Sequence, residues 1–409
     1  MTDTPPSTSV VEGSTAPRGR VEAIDGLRAV AALWVVLFHI HAFTGARLPF
    51  GLDFIARAGS TGVSLFLVLS GLCLYLPYAG GRQSRFRTDD FFRRRVRRLL
   101  PAYYVSLVVV LALHAIADGR WGLPRLTWPE LWLQAGTHAT LVHQLLPSTF
   151  YGLNGAYWSL GLEWELYLTL PLLVMAAVRF GLARTVAVVL VLTATYRLGL
   201  FAAGATGVID PHGAWAQFVL PNVFLGRWSE FALGMVAAEW FRTRGTRVSR
   251  IQLVGAAAAL VLALALPDNP LNHMLYGLIF FTLVCLALAG GNVVTRIFSW
   301  RPLAAVGVMS YSLYLVHQPI VEMLSYALGT LPGASPGRVF LLEVLLFPVV
   351  LIVALVLFAT VERRSLGPAS SHIPVRQLLL PPRAPAAART PTVAGNRGAL
   401  GARSAEGQP

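Results

Sequence analysis

Apolar runs of about 17–25 residues recur along this chain, and each is long enough to cross a hydrocarbon core about 30 Å thick. Ten can be drawn in the 409 residues, at approximately 24–43, 60–78, 99–117, 157–178, 183–203, 217–239, 250–266, 272–289, 303–328 and 338–361. Hydrocarbon offers no partner to a backbone N–H or C=O, so a crossing segment must satisfy those groups itself, as a helix does. The expected fold is therefore all-α, a polytopic membrane helix bundle of about ten transmembrane helices. Composition agrees: only 13% of the residues are charged, where a soluble domain carries about a quarter. No internal period of about 20–50 residues repeats, which argues against a solenoid.

The two ends read differently. Residues 1–23 are polar and rich in Pro, Ser and Thr. They hold no basic start, short apolar core and cleavage site, so the first span is expected to be a permanent helix rather than a cleaved signal. Residues 24–366 form the transmembrane domain. Residues 367–409 are rich in Pro, Ala, Arg and Gly, and both tails are expected to be disordered.

Net charge is +14 and the pI is near 10.6, a balance that in a soluble protein would hint at nucleic acid. The placement of the charge speaks for topology instead, with no nucleic acid partner. All 33 basic residues are arginine. Of these, 26 fall in the tails and alternate connecting segments, and only Arg47, Arg57, Arg120, Arg125 and Arg338 in the others. Cytoplasmic loops carry such an excess, so both termini are expected in the cytoplasm of a multi-pass protein of the cell membrane. The longest outer segment, roughly 118–156, carries Trp121, Trp128, Trp132 and Tyr151, which suits an interfacial cap. Cys73 and Cys285 are the only cysteines. Their spacing gives neither a disulfide framework nor a metal site, and they read as small apolar fillers.

Ionisable residues inside spans are costly, and each is a functional hypothesis with a partner to find. In IDGLRAVAALWVVLFH, Arg28 and His39 are eleven residues apart, about 16 Å along a helix and on nearly the same face. Arg28 is either a snorkelling anchor or a functional cation. His39 is either a core histidine bonded to a backbone carbonyl or a base. In YWSLGLEWELY, Ser159, Glu163 and Tyr167 form one polar stripe, with Glu165 on another face. Glu163 is either part of a site or a structural partner for Arg197 or Arg227. In GVMSYSLYLVHQP, Ser310, Tyr314 and His317 make a second stripe with Gln318 beside it, unless His317 is merely interfacial. Arg227 and Glu230, three apart, are expected to form a structural ion pair. GSTGVSLFLVLSGLCLYL is dotted with Gly and Ser, which favours close helix packing. The cluster FFRRRVRRLLP is a topology signal with lipid headgroups around it, or a phosphate site, since guanidinium forks fit phosphate oxygens.

Taken together and in order, these motifs resemble the acyltransferase-3 family of membrane O-acyltransferases. IDGLRAVAALWVVLFH resembles its Arg-x10-His opening, on Arg28 and His39, and GVSLFLVLSG its Gly-Val-x-x-Phe-Phe-x-x-Ser-Gly stretch, with Leu67 in place of the second Phe. FFRRRVRRLLPAYY resembles its arginine motif before a proline, on Arg95 and Arg98. YWSLGLEWELY is similar to its Trp-Ser-Leu-x-x-Glu motif, on Trp158, Ser159 and Glu163. MSYSLYLVHQPI resembles its late Ser-Tyr-x-x-Tyr-Leu-x-His-x-Pro motif, on Ser310, Tyr311, Tyr314, His317 and Pro319. VERRSLG departs from the pattern, with Arg363 and Arg364 where the family often has Arg-Pro. The stretch after the last span is too short for the SGNH esterase-like domain that some members append, so acceptor recognition is expected within the membrane domain.

The resemblance implies transfer of an acyl group, most often acetyl, from cytoplasmic acyl-CoA as donor substrate to a hydroxyl of a sugar, polysaccharide or macrolide-type acceptor. The donor phosphates would dock on Arg28, Arg95 and Arg98. His39 would remove the hydroxyl proton or carry the acyl group, with Glu163 orienting an imidazole. Ser159, Tyr167, Tyr314 and His317 would line the acceptor side, with no metal and no permanently bound cofactor. A transporter or flippase for a sugar or lipid is the alternative, using the same intramembrane charges as a path. A scaffold that binds partners through its tails is a third reading, which leaves the polar stripes unexplained.

Overall fold

Each expected span falls on helical structure in the computed structural model, which describes residues 18–81, 86–243 and 247–366. Residues 1–17 of the expected N-terminal tail and all of the expected C-terminal tail lie outside the described residues. The helices are α1 (Arg18–Thr44), α2 (Leu52–Ala58), α3 (Gly62–Tyr75), α4 (Thr88–Ala117), α5 (Trp128–Ala139), α6 (Pro147–Phe150), α7 (Trp158–Phe180) and α8 (Leu182–Ala205). They continue with α9 (Phe224–Thr243), α10 (Arg250–Ala265), α11 (Asn272–Ala289), α12 (Val293–Phe298), α13 (Arg301–Val308), α14 (Ser310–Gly329) and α15 (Pro336–Leu357). The described residues contain helices, turns and loops and no strand.

Seven stretches among the described residues are long and apolar enough to span a membrane: Glu22–Thr44, Leu52–Tyr75, Thr88–Ala117, Gly155–Phe180, Leu182–Ala205, Asn272–Ala289 and Pro336–Ser365. The other three expected spans coincide with α9, α10 and the α13–α14 pair. α10 has only 16 residues. α9 carries Arg227, Glu230, Glu239 and Arg242, and α14 carries His317, Gln318 and Glu322, which lowers their hydropathy.

Several boundaries move for physical reasons. α1 begins at Arg18, so residues 18–23 belong to the first helix rather than to a tail. α4 begins eleven residues before the apolar run, because Asp89 and Asp90 in its first turn suit the positive end of the helix dipole. Arg87 and Arg93 pair with Asp90 at 3.0 and 2.7 Å. The arginine cluster is thus the first part of a spanning helix and not a loop. The ninth span is broken at Met309. The break leaves backbone donors free at the start of α14, and the Glu362 carboxylate accepts from Ser312 N at 3.1 Å and Ser312 Oγ at 2.5 Å.

α3 and α9 cross at the centre of the bundle with α1, α8 and α11 around them. The small residues expected to permit this do so. A Cβ on Gly71 would lie 2.0 Å from the Phe231 carbonyl, and one on Gly234 would lie 2.1 Å from the Val68 carbonyl. The same logic joins α1 to α13, where a Cβ on Gly307 would stand 1.8 Å from the Asp25 carbonyl. The Arg227–Glu230 pair forms at 2.7 Å inside this core, with Arg227 also donating to Ser64 and Asn222 at 3.1 Å each.

Residues 118–156 fold over one end of the bundle, so the bundle has a cap side and an opposite, arginine-rich side. α5 is opened by a Thr127–Glu130 capping box and exposes Trp128 and Trp132. Tyr103 and Tyr104 of α4 donate to the carbonyls of His138 and Ala139, both at 2.9 Å. His138 and His143 stack in the cap with ring centroids 4.0 Å apart. Burial pushes their pKa values down, to about 3 and about 4.

Candidate functional site

A cavity of about 130 Å³ opens among α1, α3, α4, α7, α13 and α14. Its lining includes Arg28, Arg95, Arg98, Ser159, Glu163, Tyr167 and Tyr314, seven of the nine residues singled out from the sequence. They come from helices far apart in the chain, and the periodicity of each helix delivers its polar stripe to the same space.

The arginine cluster divides. Arg95 and Arg98, one turn apart, face the cavity, while Arg94 and Arg97 are exposed and Arg93 pairs with Asp90. The Arg95 guanidinium lies 5.9 Å from the Phe91 ring centroid, and its Nε is buried without a hydrogen-bond partner among the described residues. Neither Arg95 nor Arg98 has a carboxylate within 4 Å among those residues. Arg28 is held more firmly, with Asp25 Oδ1 at 3.7 Å and Cys73 Sγ at 3.5 Å. Three guanidiniums therefore share a space whose carboxylates are Glu163 and Glu362.

Glu163 accepts from Tyr167 OH at 2.5 Å and from Ser70 Oγ at 3.0 Å. The described hydrogen bonds put it on neither an imidazole nor Arg197 or Arg227. Its helical stripe points to α3 and the cavity, where Ser70 and Tyr167 are its partners. Glu165, on the other face, accepts from Gln144 at 3.0 Å and from the Phe224 backbone N–H at 2.7 Å, tying the cap to α9.

His39 and His317 stand beside the cavity without lining it. Their ring centroids are 5.0 Å apart, and His39 Nδ1 lies 3.3 Å from His317 Nε2. His39 Nδ1 is also 2.8 Å from the Val35 carbonyl, and His317 Nδ1 is 2.8 Å from the Tyr314 carbonyl. A carbonyl only accepts, so in the neutral rings both Nδ1 atoms carry the proton. His317 Nε2 then presents a lone pair to His39 Nδ1–H. His39 Nε2 keeps its own lone pair, with no hydrogen-bond partner among the described residues. The link to the cavity is Tyr314, whose ring centroid is 5.4 Å from His317. Its hydroxyl is tied to Ser159 Oγ at 2.6 Å and to the Ala156 carbonyl at 3.0 Å.

Five polar lining residues were not among those nine: Ser70, Cys73, Ser310, Tyr311 and Glu362. Ser70 and Tyr311 lie inside motifs already recognised, and Tyr311 OH donates to the Leu99 carbonyl at 3.0 Å. Cys73, read from the sequence as a small apolar filler, lines the cavity. Glu362, in VERRSLG, gave no signal because its partner Ser312 is fifty residues away.

The family model described as an acyltransferase domain matches residues 21–363. The O-acetyltransferase OatA of Staphylococcus aureus is 26% identical over 360 residues, covering 79% of this chain and 54% of that protein. The chain thus spans about half the length of that relative. Acyltransferase MdmB of Streptomyces mycarofaciens is 28% identical over 322 residues, 74% of this chain and 79% of that one. A protein named as a membrane-bound transacylase, BcsY of Komagataeibacter xylinus, is 28% identical over 385 residues, 90% of this chain and 89% of that one. No solved structure matches.

Proposed function

Because this chain belongs to the acyltransferase-3 family of membrane acyltransferases, we propose that it moves an acyl group, most simply acetyl, from cytoplasmic acyl-CoA to a hydroxyl of a sugar, polysaccharide or macrolide-type acceptor. The observation that carries this reading is the cavity in which Arg95 and Arg98, without a carboxylate partner among the described residues, and Arg28 share walls with the polar stripes of α7 and α14, one tyrosine away from a histidine pair.

In this reading both termini are cytoplasmic and the donor enters from the arginine-rich side. Its phosphates engage Arg95 and Arg98, with Arg28 deeper, because guanidinium forks match phosphate oxygens bidentately. The thioester then points toward Ser159 and Tyr314. The acceptor hydroxyl arrives from the cap side at His39. The lone pair on His39 Nε2 takes the hydroxyl proton as the oxygen attacks the thioester carbonyl, and the CoA thiolate departs. Attack by Nε2 itself, giving an acyl-histidine, uses the same lone pair. His317 Nε2 stabilises the proton on His39 Nδ1 and any imidazolium that forms. Tyr314 separates donor from histidine in this conformation, so transfer requires the Tyr314–Ser159 hydrogen bond to open. Glu163 holds Tyr167 and Ser70 in place beside the arginines.

The test is incubation of the purified protein with labelled acetyl-CoA and a panel of hydroxyl-bearing acceptors. Label appearing on an acceptor, and not with His39→Ala, supports the reading. Full transfer by a folded His39→Ala variant would remove His39 from the mechanism, and movement of an unmodified solute across liposomes without acylation would replace the enzyme by a transporter.

A further inference from the structure

A second groove, of about 360 Å³, lies between α8, the 206–223 connection and the turn preceding α11. It is on the cap side, since Phe218 of that connection packs against Phe150 and Tyr151. Its walls are apolar, including Leu200, Phe201, Ile209 and Pro221, and its single charged lining residue is Arg197.

Arg197 is bonded in an unusual way for a cation inside a spanning helix. Nε donates to the Pro270 carbonyl, and Nη1 lies 3.3 Å from each of the Pro221 and Gly226 carbonyls. Among the described residues, Nη2 has no hydrogen-bond partner and no carboxylate lies within 4 Å of the guanidinium. Glu230, the acidic group on the adjoining helix, is already bidentate on Arg227 at 2.7 and 2.9 Å. Carbonyl dipoles thus hold a full positive charge at the edge of an apolar groove. Such a charge is costly in a low dielectric unless an anion joins it.

The walls decide which anion. A free phosphate or sugar phosphate gains nothing from apolar sides, whereas an amphiphile matches both parts. The rim exposes apolar side chains, Phe201 at 58%, Val208 at 77% and Trp215 at 51%. Beside them stand the polar Asp210 and His212 of the same connection, where Asp210 Oδ1 accepts from the His212 backbone N–H at 3.0 Å. Such a mixture suits a surface at the level of lipid headgroups. The volume falls in the range of about 300–1,000 Å³ typical of small-molecule sites, with room for a headgroup phosphate and part of one chain. We propose that this groove binds a phospholipid of the bilayer, its phosphate on Arg197 Nη2 and a fatty-acyl chain along Leu200, Phe201 and Ile209. This holds whatever the reaction at the central cavity.

The experiment uses the full chain in detergent, titrated with dioleoyl phosphatidylglycerol, dioleoylglycerol or inorganic phosphate. Bound lipid is counted by native mass spectrometry and the unfolding temperature is followed in parallel. The wild type should bind phosphatidylglycerol at least about ten-fold more tightly than the phosphate-free diacylglycerol, one charge-assisted hydrogen bond's worth. Inorganic phosphate alone should neither bind nor raise the unfolding temperature. Arg197→Gln should abolish the preference. Gly204→Leu provides a second variant with Arg197 intact. A Cβ there already comes within 3.4 Å of Pro211, and the larger side chain fills the groove, so phosphatidylglycerol binding should fall at least ten-fold. Equal binding of both lipids, wild-type binding by a folded Gly204→Leu, or an equal shift with inorganic phosphate would each overturn the proposal.

Discussion

Replacing Arg95 and Arg98 by alanine probes donor recognition with little collateral damage, because neither guanidinium has a carboxylate within 4 Å among the described residues to leave stranded. Each would give a charge-assisted bond to phosphate worth about 2 kcal/mol in this partly solvated cavity. That predicts a rise of about 30-fold in KM for acetyl-CoA per single variant. The two residues are one turn apart and share the same ligand, so their effects should fall short of additive, giving about 10²–10³ for the pair. The assay compares acetyl-CoA with acetyl-pantetheine, which carries the same thioester and no phosphate. Wild type should prefer acetyl-CoA over acetyl-pantetheine, and the double variant should lose most of that preference, keeping only what Arg28 supplies. An undiminished preference in the double variant would refute phosphate docking here, and the cluster would revert to a topology signal.

Other consequences are equally open to measurement. His39→Ala should lower transfer about 10²–10⁴-fold, the scale of a lost general base, with normal insertion and melting, whereas His317→Gln should cost less because it acts through His39. His138 and His143 have folded pKa values of about 3 and about 4 against an ordinary 6.5. Between those values the unfolded chain binds more protons, so stability is full above about pH 6.5 and falls as pH drops, by about 2 kcal/mol per histidine at pH 5. Melting temperature measured from pH 7.5 to 5 should fall with pH, and a His138→Phe, His143→Phe variant should show a shallower fall. Glu230→Gln should destabilise the fold by about 3–5 kcal/mol, because Arg227 is then buried without its charge partner; denaturation of the purified variant measures it. Gly71→Leu should lower the melting temperature further than a leucine at Gly136, where a Cβ meets nothing within 4 Å.

Apolar run length fixed the helical class and the approximate place of every spanning element, because a backbone in hydrocarbon has so few options. Helical spacing likewise grouped Ser159 with Glu163 and Tyr167, and Ser310 with Tyr314, since periodicity states which side chains share a face. It could not say what that face meets. The division of the arginine cluster into inward Arg95 and Arg98 and outward Arg94 and Arg97 depends on how α4 is rotated against its neighbours. Spacing left Glu163 as either part of a site or a partner for Arg197 or Arg227, whereas packing of α7 against α3 gives it Ser70 and Tyr167. The break at Met309 and its cap by Glu362 are invisible locally, as the two ends come from different helices. His39 and His317 are separated by 278 positions, and no local pattern relates them. The chain's own residues thus determined the helices and the polar face of each. Only tertiary packing decided which faces meet, because the contact between two helices is set by the shapes and small residues of both.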